Sequence, residues 1–319
     1  MVLPYGFDPR FPHQERYFRT VLFLFVDFVF EGLYNCLMEA LIFTVKDLTA
    51  EMKISDYMKR RLGFSTSLIT KVKYGGVRLN GDVVTMRQAV KNDDIIEVSF
   101  PEEESENVEP IDIPLDILYE DEHVLAVNKP RDMPTHPSRG NHLPTLANAV
   151  AAYLGAPFVF RAVNRLDRGT AGIVIIAKNP FSAAKLGRAM KERKIKKKYV
   201  ALVEGIPSQR EARIDAPIAR EAEGEIKRIV REDGKAAVTD YKVIAETADG
   251  NAVCEIVLHT GRTHQIRVHM AHIGHSLVGD FLYGNESADG YFLTCSEISL
   301  PHPLSDELIT VSIKADFSH

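Results

Sequence analysis

Residues 164–179, NRLDRGTAGIVIIAKN, join a charged turn to an uninterrupted apolar run. Two arginines flank a single acid, Asp167, and glycines follow before the run begins. The run, residues 173–177, is typical of a buried strand. A glycine-rich turn at the start of a core strand can hold a polar side chain rigidly at a cleft. Asp167 is therefore a candidate catalytic acid, although a carboxylate between arginines is equally well explained as a surface ion pair.

This stretch resembles the HRLDxxTSG signature of the RluA family, the pseudouridine synthases of the large-subunit-rRNA type. The matching positions are Arg165, Leu166, Asp167, Thr170 and Gly172, whereas Asn164 replaces the usual His and Ala171 the usual Ser. Neither replacement touches the acid. In that family the Asp is the indispensable catalytic residue, so the resemblance implies this role for Asp167. We assign Arg165 to substrate binding.

A second stretch, VNKPRDMPTHPS at residues 127–138, resembles the first motif of the same family, NKPxGxxxHP. The matching positions are Asn128, Lys129, Pro130, His136 and Pro137. Asp132 replaces the usual Gly, so we expect a different turn in this loop. The resemblance assigns Asn128 and Lys129 to substrate binding.

A third stretch, TGRTHQIRVHMAHIGHSLVGDFLYG at residues 260–284, resembles the third family signature almost residue for residue. We expect Thr263 to cap a helix that carries Ile266 on its apolar face. The family pattern pairs the arginine at Arg267 with the catalytic Asp, so the resemblance implies a bidentate ion pair between Arg267 and Asp167. We assign Ile266 to the substrate pocket.

A dense basic tract, residues 185–198, leads into a predicted strand over residues 199–203. Such a tract beside an aromatic residue is typical of a groove that binds a nucleic-acid backbone next to a stacking surface. We expect the last lysines of the tract to hold the phosphates that flank the target nucleotide; they are Lys196, Lys197 and Lys198. The residues that follow resemble a KxYxA family motif whose Tyr lies against the target base, which implies that role for Tyr199. A Tyr at a strand start is also an ordinary core residue.

The formal net charge of −5 would argue against a nucleic-acid partner if the charge were evenly spread. Lys and Arg instead gather in residues 53–87 and 185–198, so local sign matters more than the sum. The three cysteines have no CxxC spacing, which fits a reducing cytoplasm. Four histidines follow Thr263, but their spacing is not that of HExxH, and we expect packing and capping roles and no metal.

The amino-terminal region divides into three expected parts. Residues 1–40 are an extension whose apolar run at residues 21–30 is too short to span a bilayer, and we expect residues 1–37 to precede the native start. A membrane-surface anchor is the alternative. Residues 41–100 combine two helices with an Asn-Gly hairpin. The charged residues 101–112 are expected to be a linker.

The segment at residues 54–98 resembles the small RNA-binding domain named after ribosomal protein S four. Lys and Arg bind phosphate oxygens without reading sequence, so cations on this segment are candidates for RNA contact. We select five, which are Arg60, Arg61, Lys71, Lys73 and Arg78. A basic face that serves only solubility is the alternative.

We expect an α+β catalytic domain over residues 113–319, built on a mixed, largely antiparallel sheet and preceded by the small α/β RNA-binding module. Hydrophobic spacing predicts helices over residues 54–62, 67–74, 145–154 and 181–194, and we expect Ser65 or Thr66 to cap the second of them.

The resemblances imply an RNA pseudouridine synthase that acts on rRNA or tRNA as a cytoplasmic monomer without cofactor, metal or membrane. A non-catalytic RNA-binding or ribosome-assembly factor on the same fold is one alternative. A nuclease that uses Asp167 with the histidines is the other. Release of tritium from 5-labelled uridine in RNA, metal analysis and an RNA cleavage assay distinguish the three.

Overall fold

The computed structural model describes residues 40–101, 108–137, 144–155, 158–285 and 290–315. The expectations for the amino-terminal extension and for half of the linker therefore lie outside the described residues. None of the described helices is both long enough and apolar enough to cross a bilayer.

The first part of the described chain packs two short helices against short antiparallel strands. The strands are β1 (Leu41–Thr44), β2 (Met52–Lys53), β3 (Val77–Leu79), β4 (Asp82–Val83), β5 (Ala89–Val90) and β6 (Ile95–Val98), and the helices are α1 (Ile54–Arg60) and α2 (Thr66–Val72). Ser65 caps α2, as predicted, by accepting a hydrogen bond from the Leu68 N–H at 3.2 Å. Asn80 and Gly81 have φ angles of 52° and 90°, which is the predicted two-residue hairpin turn.

The rest of the described chain is built on one large sheet. Its strands and those of a small side hairpin are β7 (Asp116–Glu120), β8 (Val124–Lys129), β9 (Ala171–Ala177), β10 (Lys196–Val203), β11 (Glu211–Asp215), β12 (Ile218–Arg220), β13 (Arg228–Val230), β14 (Val238–Glu246), β15 (Ala252–Leu258), β16 (Leu293–Pro301) and β17 (Leu308–Ser312). The order is β11-β14-β15-β10-β16-β9-β8-β7, with β17 on β16, and only β9 and β16 run parallel. The helices are α3 (Leu146–Leu154), α4 (Pro180–Lys191) and α5 (Gln265–His272). The predicted α+β class with a largely antiparallel sheet is confirmed.

The turn that contains Asp167, residues 164–170, is called the Asp167 turn, and β9 fixes it to the middle of this sheet. Gly172 has a φ of 109°, and a Cβ at this position would lie 2.3 Å from the Cys295 carbonyl oxygen on β16. Only glycine allows the two backbones to approach so closely. The buried Asn164 side chain donates to the Ile173 carbonyl at 3.0 Å and accepts from the Ile175 N–H at 2.9 Å. The residue that replaces the usual His thus ties the turn to β9.

Helix α4 joins the two larger hydrophobic clusters of the described chain. Its Phe181 lies in the amino-terminal cluster, with its ring centroid 5.7 Å from that of Phe43 and 4.8 Å from that of Phe64. Leu186, one turn further along, lies in the cluster of the large sheet. The helix was expected to extend to Lys194 but ends at Lys191, and Arg193 takes a left-handed φ of 58° before β10 begins.

Candidate active site

A cavity of about 970 Å³ is lined by the Asp167 turn, β10, the end of β15 and the start of α5. These segments are far apart in sequence, and the sheet order brings them together because β10 lies between β15 and β16. The predicted site residues that line the cavity are Asp167, Tyr199, Arg267, Arg165, Ile266, Lys196 and Lys197. The structure thus gathers seven of the predicted residues around one cavity.

Asp167 is a half-buried carboxylate at the cavity wall. Its side chain is 40% exposed, and its backbone carbonyl accepts the Thr170 N–H at 3.0 Å, which closes the turn. Among the described residues, the nearest charged or titratable partner of its carboxylate is His264, whose Nε2 lies 3.9 Å from Oδ2. The carboxylate can therefore reach a bound molecule without first giving up an ion pair to an arginine.

Arg267 does not form the expected ion pair with Asp167. Its Nε and Nη2 donate to the two carboxylate oxygens of Asp280 at 2.7 and 2.6 Å, and both side chains are almost fully buried. The reason is that Asp280 is already held in place by the N–H groups of Leu282 and Tyr283, so it presents its carboxylate to the guanidinium. Burial lowers the pKa of Arg267, but the hydrogen bonds to Asp280 and the charge interactions with Tyr291, Asp280 and Asp167 together outweigh burial, and the pKa is raised.

An aromatic wall surrounds the Arg267 guanidinium. Its central carbon lies 4.3 Å from the centroid of the Tyr291 ring and 4.9 Å from that of Tyr283. The Tyr291 hydroxyl is 3.2 Å from the Thr170 hydroxyl of the Asp167 turn, and burial raises the pKa of Tyr291 to about 12. Arg267 therefore stays charged beneath the cavity and reaches the turn through Tyr291 and Thr170.

Tyr199 is buried and keeps its proton. Burial raises the pKa of its hydroxyl well above the ordinary value, and the neighbouring Cys295 adds to the effect. Tyr199 and Cys295 are paired across β10 and β16. A neutral phenol with its ring in the cavity wall can pack against a nucleobase. It cannot accept a proton as a general base at neutral pH.

The three lysines before Tyr199 do not act as one set, because Lys196 and Lys197 line the cavity and Lys198 does not. Lys197 lies in the cavity wall, where burial lowers its pKa. Lys198 is absent from the cavity lining, and its Nζ lies 3.3 Å from the Glu297 carboxylate on β16. The expected contact of Lys198 with a phosphate beside the target stays a prediction.

Asn128 and Lys129 also lie outside the cavity lining. The Lys129 side chain is fully buried, and its ammonium donates to the carbonyls of Pro130 at 2.8 Å, Met133 at 2.7 Å and Arg168 at 3.2 Å. Asn128 donates to Asp116 at 2.9 Å. Lys129 ties the loop after β8 to the Asp167 turn, and Asn128 braces the edge of the sheet. Their expected contact with substrate stays a prediction.

Asp132, in the loop after β8, has a left-handed backbone conformation. Asp132 has a φ of 60°, a left-handed conformation for which the usual Gly would be better suited. Its carboxylate lies 3.7 Å from Arg168 of the Asp167 turn, and both side chains are largely exposed. Asp132 thus adds a weak surface ion pair, and the expectation of a different turn stays a prediction.

The amino-terminal cations lie apart from the cavity lining. Arg60, Arg61, Lys71 and Arg78 are exposed, and the Lys73 ammonium lies 4.5 Å from the centroid of the Tyr74 ring. Arg78 donates to the Gly81 carbonyl at 2.9 Å. Their expected contact with RNA stays a prediction.

Sequence reasoning missed four residues of this site, which are His264, Asp280, Tyr283 and Tyr291. Thr263 was expected to cap the helix, but α5 begins after His264, which has a left-handed φ of 57° and makes no side-chain cap. Asp280 lies within the third motif together with Arg267, so the sequence contained a signal for the pairing of these two residues. Left-handed backbone at a His cannot be read from a single sequence.

Two of the histidines that follow His264 have packing roles. The buried His269 contacts the Thr239 hydroxyl at 2.8 Å and the Ala216 carbonyl at 2.9 Å, and burial lowers its pKa. His275 contacts the Glu204 carbonyl at 2.9 Å. In the described part of the chain no group of three or more His, Cys, Asp or Glu side chains is arranged to hold a metal ion.

The comparisons with known proteins agree with this fold. The family model described as RNA pseudouridylate synthase matches residues 123–272. The uncharacterized RNA pseudouridine synthase YjbO of Bacillus subtilis is 40% identical over 264 residues, which are 80% of this chain and 93% of the relative. The ribosomal large subunit pseudouridine synthase D of Haemophilus ducreyi is 36% identical over 76% of this chain and 80% of its own length. The solved structure of human RNA pseudouridylate synthase domain containing 1 matches with a TM-score of 0.53 and 29% identity, covering 63% of this chain and 83% of the human chain.

The mixed sheet carries one cavity whose lining includes a carboxylate, a tyrosine and an arginine. The chain belongs to the RNA pseudouridine synthase family. It is an isomerase that converts uridine to pseudouridine in RNA.

Proposed function

We propose that the enzyme isomerises uridines in structured rRNA, with Asp167 as the catalytic carboxylate and Tyr199 and Arg267 as its partners. The observation that carries the proposal is the Asp167 carboxylate itself, 40% exposed at the cavity wall and not engaged by an arginine. Relatives named as ribosomal large subunit pseudouridine synthases support rRNA as the substrate, with tRNA as the alternative.

The reaction breaks the bond from uracil N1 to ribose C1′ and makes a bond from C5 to C1′. C5 loses a proton and N1 gains one, so no redox cofactor is needed. An ionised carboxylate close to the glycosidic carbon can attack the sugar, attack the base, or draw a proton in a glycal route. Asp167 is placed for each of these, because its carboxylate is open to the cavity that would receive the nucleotide.

The target uridine must leave its stack to enter the cavity. Unstacking costs a few kcal/mol, which contacts to the flipped base and its flanking phosphates offset. We assign the base contact to Tyr199 and Ile266, which line the cavity, and the phosphate contacts to Arg165, Lys196 and Lys197. We assign Arg267 an electrostatic role, because its Nε and Nη2 groups donate to Asp280.

We further propose that residues 41–100 form an RNA-binding module of the S-four type, joined by residues 101–112 to a catalytic domain over residues 113–319. The exposed cations of the RNA-binding module hold RNA phosphates at a distance from the Asp167 cavity. The enzyme is proposed to work as a cytoplasmic monomer without a metal.

The test is tritium release from 5-labelled uridine in rRNA fragments. Asp167→Asn removes the charge and keeps the size of the side chain, so isomerisation should vanish while RNA binding persists through phosphate contacts. Asp249→Asn, in an exposed turn between β14 and β15, is the matched control and should retain full activity. Appreciable turnover by the Asp167→Asn enzyme contradicts the assignment. Mapping pseudouridines in RNA from a deletion strain identifies the target.

A further inference from the structure

His264 occupies an uncommon backbone position next to the proposed catalytic carboxylate. It has φ and ψ angles of 57° and 18° immediately before α5, and its side chain does not cap the helix. A left-handed conformation costs free energy for a residue other than glycine, and such residues concentrate at functional sites. The His264 side chain lines the cavity and is only 9% exposed. Its conformation carries the imidazole towards Asp167 instead of outward to solvent.

The hydrogen bonds around Tyr283 determine which nitrogen of His264 carries the proton. The Tyr283 hydroxyl oxygen accepts the Arg228 backbone N–H at 2.9 Å, so its own proton is available for His264 Nδ1, also at 2.9 Å. An imidazole that accepts at Nδ1 carries its proton on Nε2 in the neutral form. Burial lowers the pKa of His264, which keeps the ring neutral. The result is an N–H donor on the side of the ring that faces Asp167.

The distance from His264 Nε2 to Asp167 Oδ2 is 3.9 Å, which is longer than a hydrogen bond. No hydrogen bond to the Asp167 carboxylate is present among the described residues, and its side chain is partly exposed. A small rotation of the Asp167 side chain would therefore close the gap without breaking another contact. Catalytic hydrogen bonds are often long in the absence of substrate and shorten when it binds.

We propose that His264 is a positioning residue for the reaction: its Nε2–H, fixed by Tyr283, donates to the Asp167 carboxylate and turns the other oxygen towards the reacting carbon. This inference rests on the proposed role of Asp167. The donor also favours the ionised form of the carboxylate, which is the reactive form.

Two substitutions at His264 separate the donor from the backbone. Asn tolerates the left-handed conformation and can accept the Tyr283 proton, but it is too short to donate to Asp167. Gln can place an amide N–H near the position of Nε2, but it is less suited to the backbone and loses the contact with Tyr283. His264→Asn should therefore be the more stable variant and His264→Gln the more active one.

The experiment measures kcat, KM, the pH profile of kcat and the melting temperature for both variants and for Asp167→Asn. We expect kcat to fall about 10- to 100-fold in His264→Asn, as for the loss of one hydrogen bond to a charged group. KM should change little. The acidic limb of the pH profile of kcat should move to higher pH in this variant. His264→Gln should retain more activity and a smaller shift of that limb.

A purely structural role predicts the opposite order, with activity following stability, and that result overturns the proposal. Wild-type turnover and pH profile in His264→Asn overturn it as well, while an inactive Asp167→Asn enzyme leaves the proposed function intact. Turnover by Asp167→Asn overturns the proposed function itself. If His264→Asn does not fold, Tyr283→Phe replaces it: loss of the fixed proton should lower kcat and move the acidic limb, and an unmoved profile overturns the proposal.

Discussion

Arg267 and Asp280 form a bidentate ion pair inside the protein, with N···O distances of 2.7 and 2.6 Å and side chains that are 4% and 0% exposed. A charge at this depth is tolerated only with its partner, because the desolvation cost is large. The pair lies next to the cavity without pointing into it. Arg267 is thus held rigidly, and Asp167 keeps its carboxylate for the substrate.

Asp280→Asn should destabilise the protein by about 3–5 kcal/mol, because it leaves the Arg267 charge buried without a counter-ion. The substitution keeps the size of the side chain and an oxygen for the N–H groups of Leu282 and Tyr283. Thermal or urea unfolding measures the loss. The exposed Asp249→Asn variant serves as control and should unfold like the wild type; equal stability of the two variants would show that the pair contributes nothing.

Gly172→Ala should destabilise the fold by about 2 kcal/mol or more, through the left-handed backbone and the contact with the adjacent strand. The added Cβ would lie 2.3 Å from the Cys295 carbonyl oxygen, which is backbone and cannot move aside. Gly187→Ala in α4 is the matched control, because a Cβ there has no atom within 4 Å. That change should be neutral or stabilise the helix. Equal melting temperatures of the two variants would contradict the close approach of β9 and β16.

Lys197→Met should weaken turnover on a short stem-loop more than Lys198→Met does. Lys197 lies in the cavity wall, whereas Lys198 lies outside the lining beside Glu297. Both changes remove one charge from the same strand, so the long-range electrostatic effect is matched. The measurement is kcat and KM as a function of salt. Equal losses would mean that the two lysines act through the general field alone.

Stability should fall as the pH is lowered below about 6.5, the ordinary pKa of histidine. Burial lowers the pKa of four histidines in the folded protein, which are His123, His136, His264 and His269. The unfolded chain therefore binds protons at a pH where the folded chain does not, and the stability that is complete above 6.5 is lost progressively below it.

The melting temperature from pH 8 to pH 5 measures this effect. His269→Gln should reduce the slope below pH 6.5 even if it lowers the melting temperature at every pH. His272→Gln, at an exposed position of the same helix, should leave the slope unchanged. A slope that both variants share with the wild type would show that His269 does not contribute.

The sequence predicts those features whose cause is local. The apolar run of β9, the Ser65 cap and the Asn80-Gly81 turn depend on neighbours in the chain, and the structure confirms them. The partner of Arg267 could not be predicted, because Asp167 and Asp280 are both acids near it and only the packed fold selects one. Lys198 lies beside Glu297 because β10 starts three residues earlier than expected and pairs with β16 there, and strand ends are set by the partner strand.

Helix α4 has its first turn in the amino-terminal hydrophobic cluster through Phe181 and its last residue, Lys191, in the cavity lining. A helix of 12 residues is about 18 Å long. If the amino-terminal cations hold RNA as proposed, the helix fixes the distance between the RNA bound there and the flipped nucleotide. The enzyme would then select uridines partly by how far along the RNA they lie from the point of attachment.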